Sequence, residues 1–234
     1  MSLAGIIEQA ERAKKTFLVP ETAAKPVVDA IADHVGVHDV AIERTPRGDR
    51  PEPTAVLLDG DDAVATAAVA DLHDYVTGWR RHGLAGTDLS RPALLGRLDD
   101  TYFRSYGKPR MVVASKQVEQ RAWTNAAGRL HVGFQYLSKV RPQWHEYRKL
   151  ADVLDVHVYG EPDWDLPTDD VVVHALDTDE VQDHWWVAYD GGGDDACKAT
   201  LLAQEDEPNR FSGFWSFDAG VTDDVVGHLS RTYQ

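Results

Sequence analysis

Ser115 and Glu119 stand four residues apart, a spacing that puts a hydroxyl and a carboxylate on one side of a helix. Phe134-Gln135 closes a short apolar run, RLHVGF, and adds a ring and an amide. Together these four side chains could present a carboxylate, an amide and a ring to a small polar ligand. They could equally form a buried capping network, with Ser115 at the start of a helix. A second group is cationic: Lys139, Arg141, Arg148 and Lys149. It would receive an acidic partner or an anionic ligand, or it offsets acidic side chains in the same molecule.

Other constellations carry less chemistry. Gly192-Gly193-Asp194-Asp195 resembles the glycine–acid hairpin of diguanylate cyclases, where glycines admit a nucleotide and acids hold a metal. Here Ala196 follows rather than an aromatic, and no second metal-binding carboxylate stands in a matching context. A glycine-rich hairpin turn explains the run. His34 and His38 have the spacing of zinc ligands on a helix, but Gly36 between them ends that helix. His157, His174 and His184 lie on predicted strands and could converge, yet no carboxylate or cysteine stands at ligand spacing. Cys197, beside Lys198, reads as a small strand residue or a reactive thiol. No G-x-S-x-G, Walker, G-x-G-x-x-G or H-E-x-x-H motif occurs. The residues therefore assign no catalytic group, no metal ligand and no cofactor. An enzyme acting on a nucleotide or phosphorylated small molecule would need a metal or clustered acids near the 190–195 turn. A ligand-free interaction adaptor would instead expose a face of the 137–151 segment.

The elements that must position these residues follow from periodicity. Leu3, Ile6, Ile7 and Ala10 predict a short amphipathic helix. Strands are expected at 16–19, 39–44, 54–58 and 63–69, the last two a hairpin around Asp59-Gly60-Asp61-Asp62. A helix opens at Pro26, another carries Leu72, Val76 and Trp79, and a third carries Leu94, Leu95, Leu98 and Tyr102. The second half reads as a strand at 110–114, a helix capped by Ser115, and a strand at 129–134. A helix over 137–151 follows, with the stripe Leu137, Val140, Trp144, Tyr147 and Ala151. Strands at 155–159, 171–176, 184–189, 196–203 and 211–217 come next, then a helix through Val221, Val225, Val226 and Leu229. Helices interspersed with lone strands and hairpins predict an α/β or α+β fold with a mixed parallel and antiparallel sheet flanked by helices. Residues 37–72 and 154–206 each read strand, Pro-rich loop, strand, Gly-Asp turn, strand, the order expected of two pseudo-repeated halves, 1–109 and 110–234.

Composition narrows the class. The 234 residues carry a formal net charge of −15 and are 43% hydrophobic, enough for a real core and too apolar for disorder. Asp outnumbers Glu by 28 to 11, and Arg outnumbers Lys by 16 to 8, a texture expected of a halophile's acidic surface. Phosphate repels such a charge, so sequence-independent nucleic-acid binding is not expected. No apolar run reaches a membrane span, and the first residues lack the pattern of a secretory leader, so a cytoplasmic location is expected. A lone cysteine excludes a disulfide framework. Within this acidic chain, residues 110–151 are net +6 and residues 152–234 net −17. Six of the seven tryptophans follow residue 110; the adjacent Trp185 and Trp186 must face opposite sides of one strand.

The strings ASKQVEQRAW, LHVGFQYLSKVRPQWHEYRKLAD and LDVHVYGEPDW, with HWWVAYD, LLAQE and FSGFWSFD in order after them, resemble the DICT sensory domain. That family is named for its occurrence with diguanylate cyclases and two-component systems. The resemblance covers residues 110–234, and more weakly residues 1–109, as in stand-alone versions from halophiles. It implies a non-catalytic sensory or regulatory module that binds a small ligand or a signalling protein. The chain carries no kinase, receiver or cyclase domain of its own, so any output must pass by contact to a partner.

Overall fold

The computed structural model describes residues 2–12, 15–35, 40–46, 52–82, 92–96, 101–166 and 170–234. The chain divides into two compact units, Arg12–Phe103 and Met1–Glu11 with Arg104–Gln234. It opens on α1 (Leu3–Arg12), whose Leu3, Ile6 and Ile7 are buried. The smaller unit then runs β1 (Lys15–Pro20), α2 (Lys25–Val35), β2 (Ala41–Thr45), β3 (Thr54–Asp59), β4 (Asp62–Ala68), α3 (Val69–His82) and α4 (Ala93–Gly96). Pro26 sits in the first turn of α2, where a missing N–H leaves no helical bond unmade. The strands form one sheet in the order β2-β1-β3-β4, with β1 parallel to β2 and antiparallel to β3, and β3 antiparallel to β4. Phe17 and Val19 alternate with half-buried Thr16 and Leu18, so one face of β1 feeds the core. That core gathers Phe17, Val19, Ile31, Leu57, Leu72 and Leu94 from the sheet and its helices.

The larger unit continues through β5 (Thr101–Gly107), α5 (Lys108–Asn125), β6 (Arg129–Tyr136), α6 (Trp144–Ala151), β7 (Asp155–Glu161) and β8 (Val172–Ala175). It ends with α7 (Asp179–Asp183), β9 (His184–Tyr189), β10 (Ala199–Glu207), β11 (Arg210–Ser216) and α8 (Ala219–Tyr233). Its sheet runs β5-β11-β10-β9-β6-β7-β8. Strands β6, β7 and β8 are parallel, while β6, β9, β10 and β11 pair antiparallel in turn. Unlike β1, β6 is buried on both faces over Leu130–Gln135. Helices α5 and α6 cover one face, where Trp185 meets Ser115 and Phe134 meets Tyr147. Helices α7 and α8 cover the other, where Tyr159 meets Tyr233. Gly133 lies under the Trp186 indole; a Cβ there would stand 2.3 Å from a ring carbon. Glu11 and Arg104, at the two points where the chain leaves and re-enters this unit, form an ion pair.

The expected mixed α/β architecture is present, and its two sheets share a pattern. The order β7-β6-β9-β10 repeats β2-β1-β3-β4, with one parallel pairing followed by two antiparallel ones. Several local expectations are corrected. Residues 110–114 belong to α5, not to a strand; the strand is Thr101–Gly107. The pair Val112-Val113 suggests extension, but Met111, Ala114, Ser115, Val118 and Ala122 recur at helical spacing and are buried together. Ser115 therefore lies inside the helix, and Gly107 occupies the cap position. The 137–151 helix is two elements, a 3₁₀ segment Leu137–Gln143 containing Pro142 and then α6. Tyr102 is in β5 rather than in the helix that carries Leu94 and Leu95. Leu98 and His38, and the side chains of His34 and Trp79, lie outside the described residues.

Candidate functional site

Helix α5 carries its polar groups on the side that faces α6. Ser115 is buried and its Oγ accepts the Trp185 Nε1–H at 3.1 Å. One turn on, Glu119 is 5% exposed and accepts hydrogen bonds from the Tyr147 hydroxyl at 2.6 Å and the Lys116 ammonium at 2.7 Å. Phe134 ties the two together, packing edge-on against Trp185 at 5.1 Å and tilted against Tyr147 at 5.9 Å. Ser115, Glu119 and Phe134 thus belong to one buried chain of contacts. Burial pushes the Glu119 carboxyl above its ordinary value, although Lys116 and Tyr147 pull the other way. Burial likewise drives the Tyr147 hydroxyl well up, aided by the Glu119 charge. Burial would lower the Lys116 ammonium, but its bonds to Glu119 and Glu146 outweigh that and hold it protonated.

Gln135 is not part of this group. Its backbone is left-handed at φ 72°, and the β6–β7 register shifts between Gly133 and Tyr136. The bulge sends its side chain to Glu205 of β10 and to Lys139. The four candidate ligand residues are therefore divided into three and one. The four cations are divided as well. Lys139 is half-buried, bonded to Gln135 and 5.1 Å above the Tyr136 ring; burial lowers its ammonium. Arg141 lies 5.5 Å over the Trp164 ring. Arg148 is paired with Asp170 at 3.9 Å, both half-exposed. Lys149 points instead toward α5.

Between α5 and α6 lies an open groove of about 270 Å³, lined by Lys116, Glu119, Gln120, Trp123, Glu146, Lys149 and Leu150. Glu119 forms its floor, and Trp123 stands beside it 48% exposed. Lys149 has no acidic partner among the described residues, whereas Lys116 bridges Glu119 and Glu146. Sequence reasoning named Glu119 and Lys149 but missed Lys116, Gln120, Trp123 and Glu146. The signal was available, because residues 116, 119, 120 and 123 share one helical face.

On the opposite face of the sheet, two of the three strand histidines do converge, joined by His131 rather than His184. His157 Nδ1 and His174 Nε2 are 2.9 Å apart, and the His131 and His157 rings are 4.9 Å apart. His184 Nδ1–H donates instead to the Glu180 carbonyl at 2.7 Å. Among the described residues no group of three or more His, Cys, Asp or Glu side chains is disposed to hold a metal ion. In the 190–195 turn, Asp190 accepts from the backbone N–H groups of Arg129 and Gly192, Asp194 caps Ala196, and Asp195 pairs with Lys198. Cys197 contacts Asp194, which with burial raises its thiol.

Residues 93–206 match the DICT family, described as "Sensory domain in DIguanylate Cyclases and Two-component system". This match covers a little under half of the chain and contains β6 with both helices of the groove. No curated protein matches the sequence. Among solved structures, a polyphosphate kinase from Porphyromonas gingivalis aligns at 12% identity and a TM-score of 0.39, over 97% of this chain and 47% of that one. The chain spans about half the length of that enzyme. Among the described residues no helix is long and apolar enough to cross a membrane.

Proposed function

We propose that this protein is a non-catalytic sensory module of the cytoplasm that takes a small ligand in the α5–α6 groove and passes the signal by contact to a protein partner. The observation that carries the reading is the placement of Trp123 and Lys149. An indole nearly half exposed stands beside an ammonium with no acidic partner among the described residues, above a buried carboxylate. An open aromatic face accepts a planar ring, and a free ammonium beside it accepts an anionic group. Gln120 and the Glu146 carboxylate supply hydrogen bonds at the rim. Ser115, Phe134, Trp185 and Tyr147 support the floor from behind, fixing Glu119 without meeting the ligand. Gln135, Lys139 and Arg141 stand outside the groove, and the partner-facing role assigned to the cations rests on Arg148 and Lys149. Planar, anionic small molecules are therefore the expected ligand class.

The test is native mass spectrometry of the protein isolated from its own cells in high salt. The wild-type chain is expected to retain a small-molecule adduct that the Trp123→Ala and Lys149→Gln variants lose, with their folds intact by circular dichroism. A wild-type chain of bare mass, or an adduct retained by both variants, would overturn the assignment.

A further inference from the structure

The α7–α8 face of the larger sheet carries titratable groups that the groove does not use. The register places His131 beside His157, and Tyr159 beside His174, on three successive parallel strands. The last turn of α8 closes over them. Gln234 Nε2 donates to the Tyr159 hydroxyl at 2.8 Å and lies 3.1 Å from His157 Nδ1. The Tyr159 hydroxyl also lies within hydrogen-bond distance of His131 Nδ1, 2.9 Å away. Tyr233, the neighbouring α8 residue, packs on the Tyr159 ring and donates to Glu180 of α7.

We propose that the His131–His157–His174 cluster is a proton-sensitive latch that holds the last turn of α8 on the sheet while its imidazoles are neutral and releases it when they are protonated. The hydrogen bonds require a lone pair at His157 Nδ1, because both the amide of Gln234 and the imidazole of His174 approach it. A proton there faces the amide N–H of Gln234, donor against donor. A second proton on the pair sets two N–H groups 2.9 Å apart against each other.

The surroundings offer little countercharge. Asp155 on β7 is 3.4 Å from His157 Nε2, but it is half exposed and also paired with Arg129 of β6 at 3.2 Å. Glu180 of α7 is engaged by Tyr233, His228 and the Leu3 N–H. On β7 and α8 the phenols stay neutral; burial pushes Tyr159 up to about 12 and raises Tyr233 as well. Among the described residues His131 Nε2 is buried without a hydrogen-bond partner, and His157 Nε2 has only the shared Asp155 carboxylate near it. Burial, with the neighbouring imidazoles, lowers His131 to about 3 and holds His174 below its ordinary 6.5. The folded values lie below the unfolded one, so the latch is fully closed above about pH 6.5 and weakens as pH falls from there toward 3.

The test is hydrogen–deuterium exchange of the 228–234 segment at pH 7.5 and 5.0, corrected for intrinsic rates. The wild-type chain is expected to lose protection there about tenfold or more at pH 5.0, with α5 and α6 unchanged. The triple variant His131→Phe, His157→Gln, His174→Phe removes all three protonation sites, and its protection should not respond to pH. Equal wild-type protection at both values would overturn the latch. So would the same loss in the triple variant, which would place the response outside the cluster. Should that variant not fold, histidine NMR of the wild-type chain decides: protonation of His174 with the segment still protected is the refuting result.

Discussion

The two sheets start from one arrangement and end with different interiors. In the smaller unit β1 alternates between buried and half-buried residues, and its neighbour β2 exposes most of its length. In the larger unit the corresponding strand β6 is buried on both faces, because α7 and α8 cover the side that its counterpart leaves half open. Closing the second face changes what the strands must carry. Where β1 has Leu18, β6 has Gly133, and the neighbouring strand supplies Trp186 in place of Val56. The order and pairing recur, and the larger unit differs by its second covered face and the buried polar cluster there. One motif can therefore serve as a single-sided scaffold or as the wall between two separate interiors.

Substitutions at matching positions sharpen or break that comparison. Trp186→Ala removes a fully buried ring and should destabilise the larger unit by about 3–5 kcal/mol. Val56→Ala, at the matching place in the smaller sheet, should cost about 1 kcal/mol. Equal shifts in urea midpoints would mean that the second face is not the difference between the units. Next in size is Glu180→Ala. It strips Leu3, His228 and Tyr233 of their acceptor and should cost about 2–3 kcal/mol. The nearest counterpart in the smaller unit, Arg44→Ala, removes two bonds to the carbonyls of Glu21 and Ala23, one exposed and one part-buried, and should cost about 0.5–1.5 kcal/mol. The acid limb of the melting curve gives a further check. Burial would raise the Glu180 carboxyl, but the hydrogen bonds of Tyr233, His228 and Leu3 hold it lower, so its contribution is present above about pH 4.5 and vanishes below. The variant should lack that limb.

Glu119→Gln probes the other interior. The amide can still accept from Tyr147 but loses the charged partner of Lys116, and about 1–2 kcal/mol is expected by thermal unfolding. The sign with pH is opposite to that of Glu180. Glu119 is raised when folded, so its favourable share is present below about pH 4.5 and lost as pH rises through the folded value. That slope should disappear in the variant. The smallest effect belongs to Arg148→Gln with Lys149→Gln, below about 1 kcal/mol, because both cations are exposed. A partner that needs them should nonetheless be lost from pull-downs in matched salt, since charged rims govern encounter more than stability.

Strands with strong β-branched or aromatic runs, such as Arg129–Tyr136 and His184–Tyr189, were legible because one chain segment suffices to declare them. The first turns of α5 were not, since Val112-Val113 reads as extended until the buried residues around it are known. The site was legible in part for a similar reason. Ser115, Glu119 and Phe134 lie at spacings visible in one helix and one strand, whereas Gln135 departs through a left-handed backbone that no periodicity announces. His131 was missed because its link to His157 is a register match between strands, a relation between segments distant in sequence. Trp123 was missed because hydrophobicity does not tell which face of a helix lies open.

The ion pair of Glu11 with Arg104 has a topological consequence. The smaller unit leaves and rejoins the chain at points joined by that pair, between α1 and β5 of the larger unit. A loop whose ends already meet can be shortened or exchanged at little entropic cost. A splice that keeps Thr101–Gly107 should leave both covered faces of the larger sheet whole, and the site would accept a foreign domain in exchange for the native one.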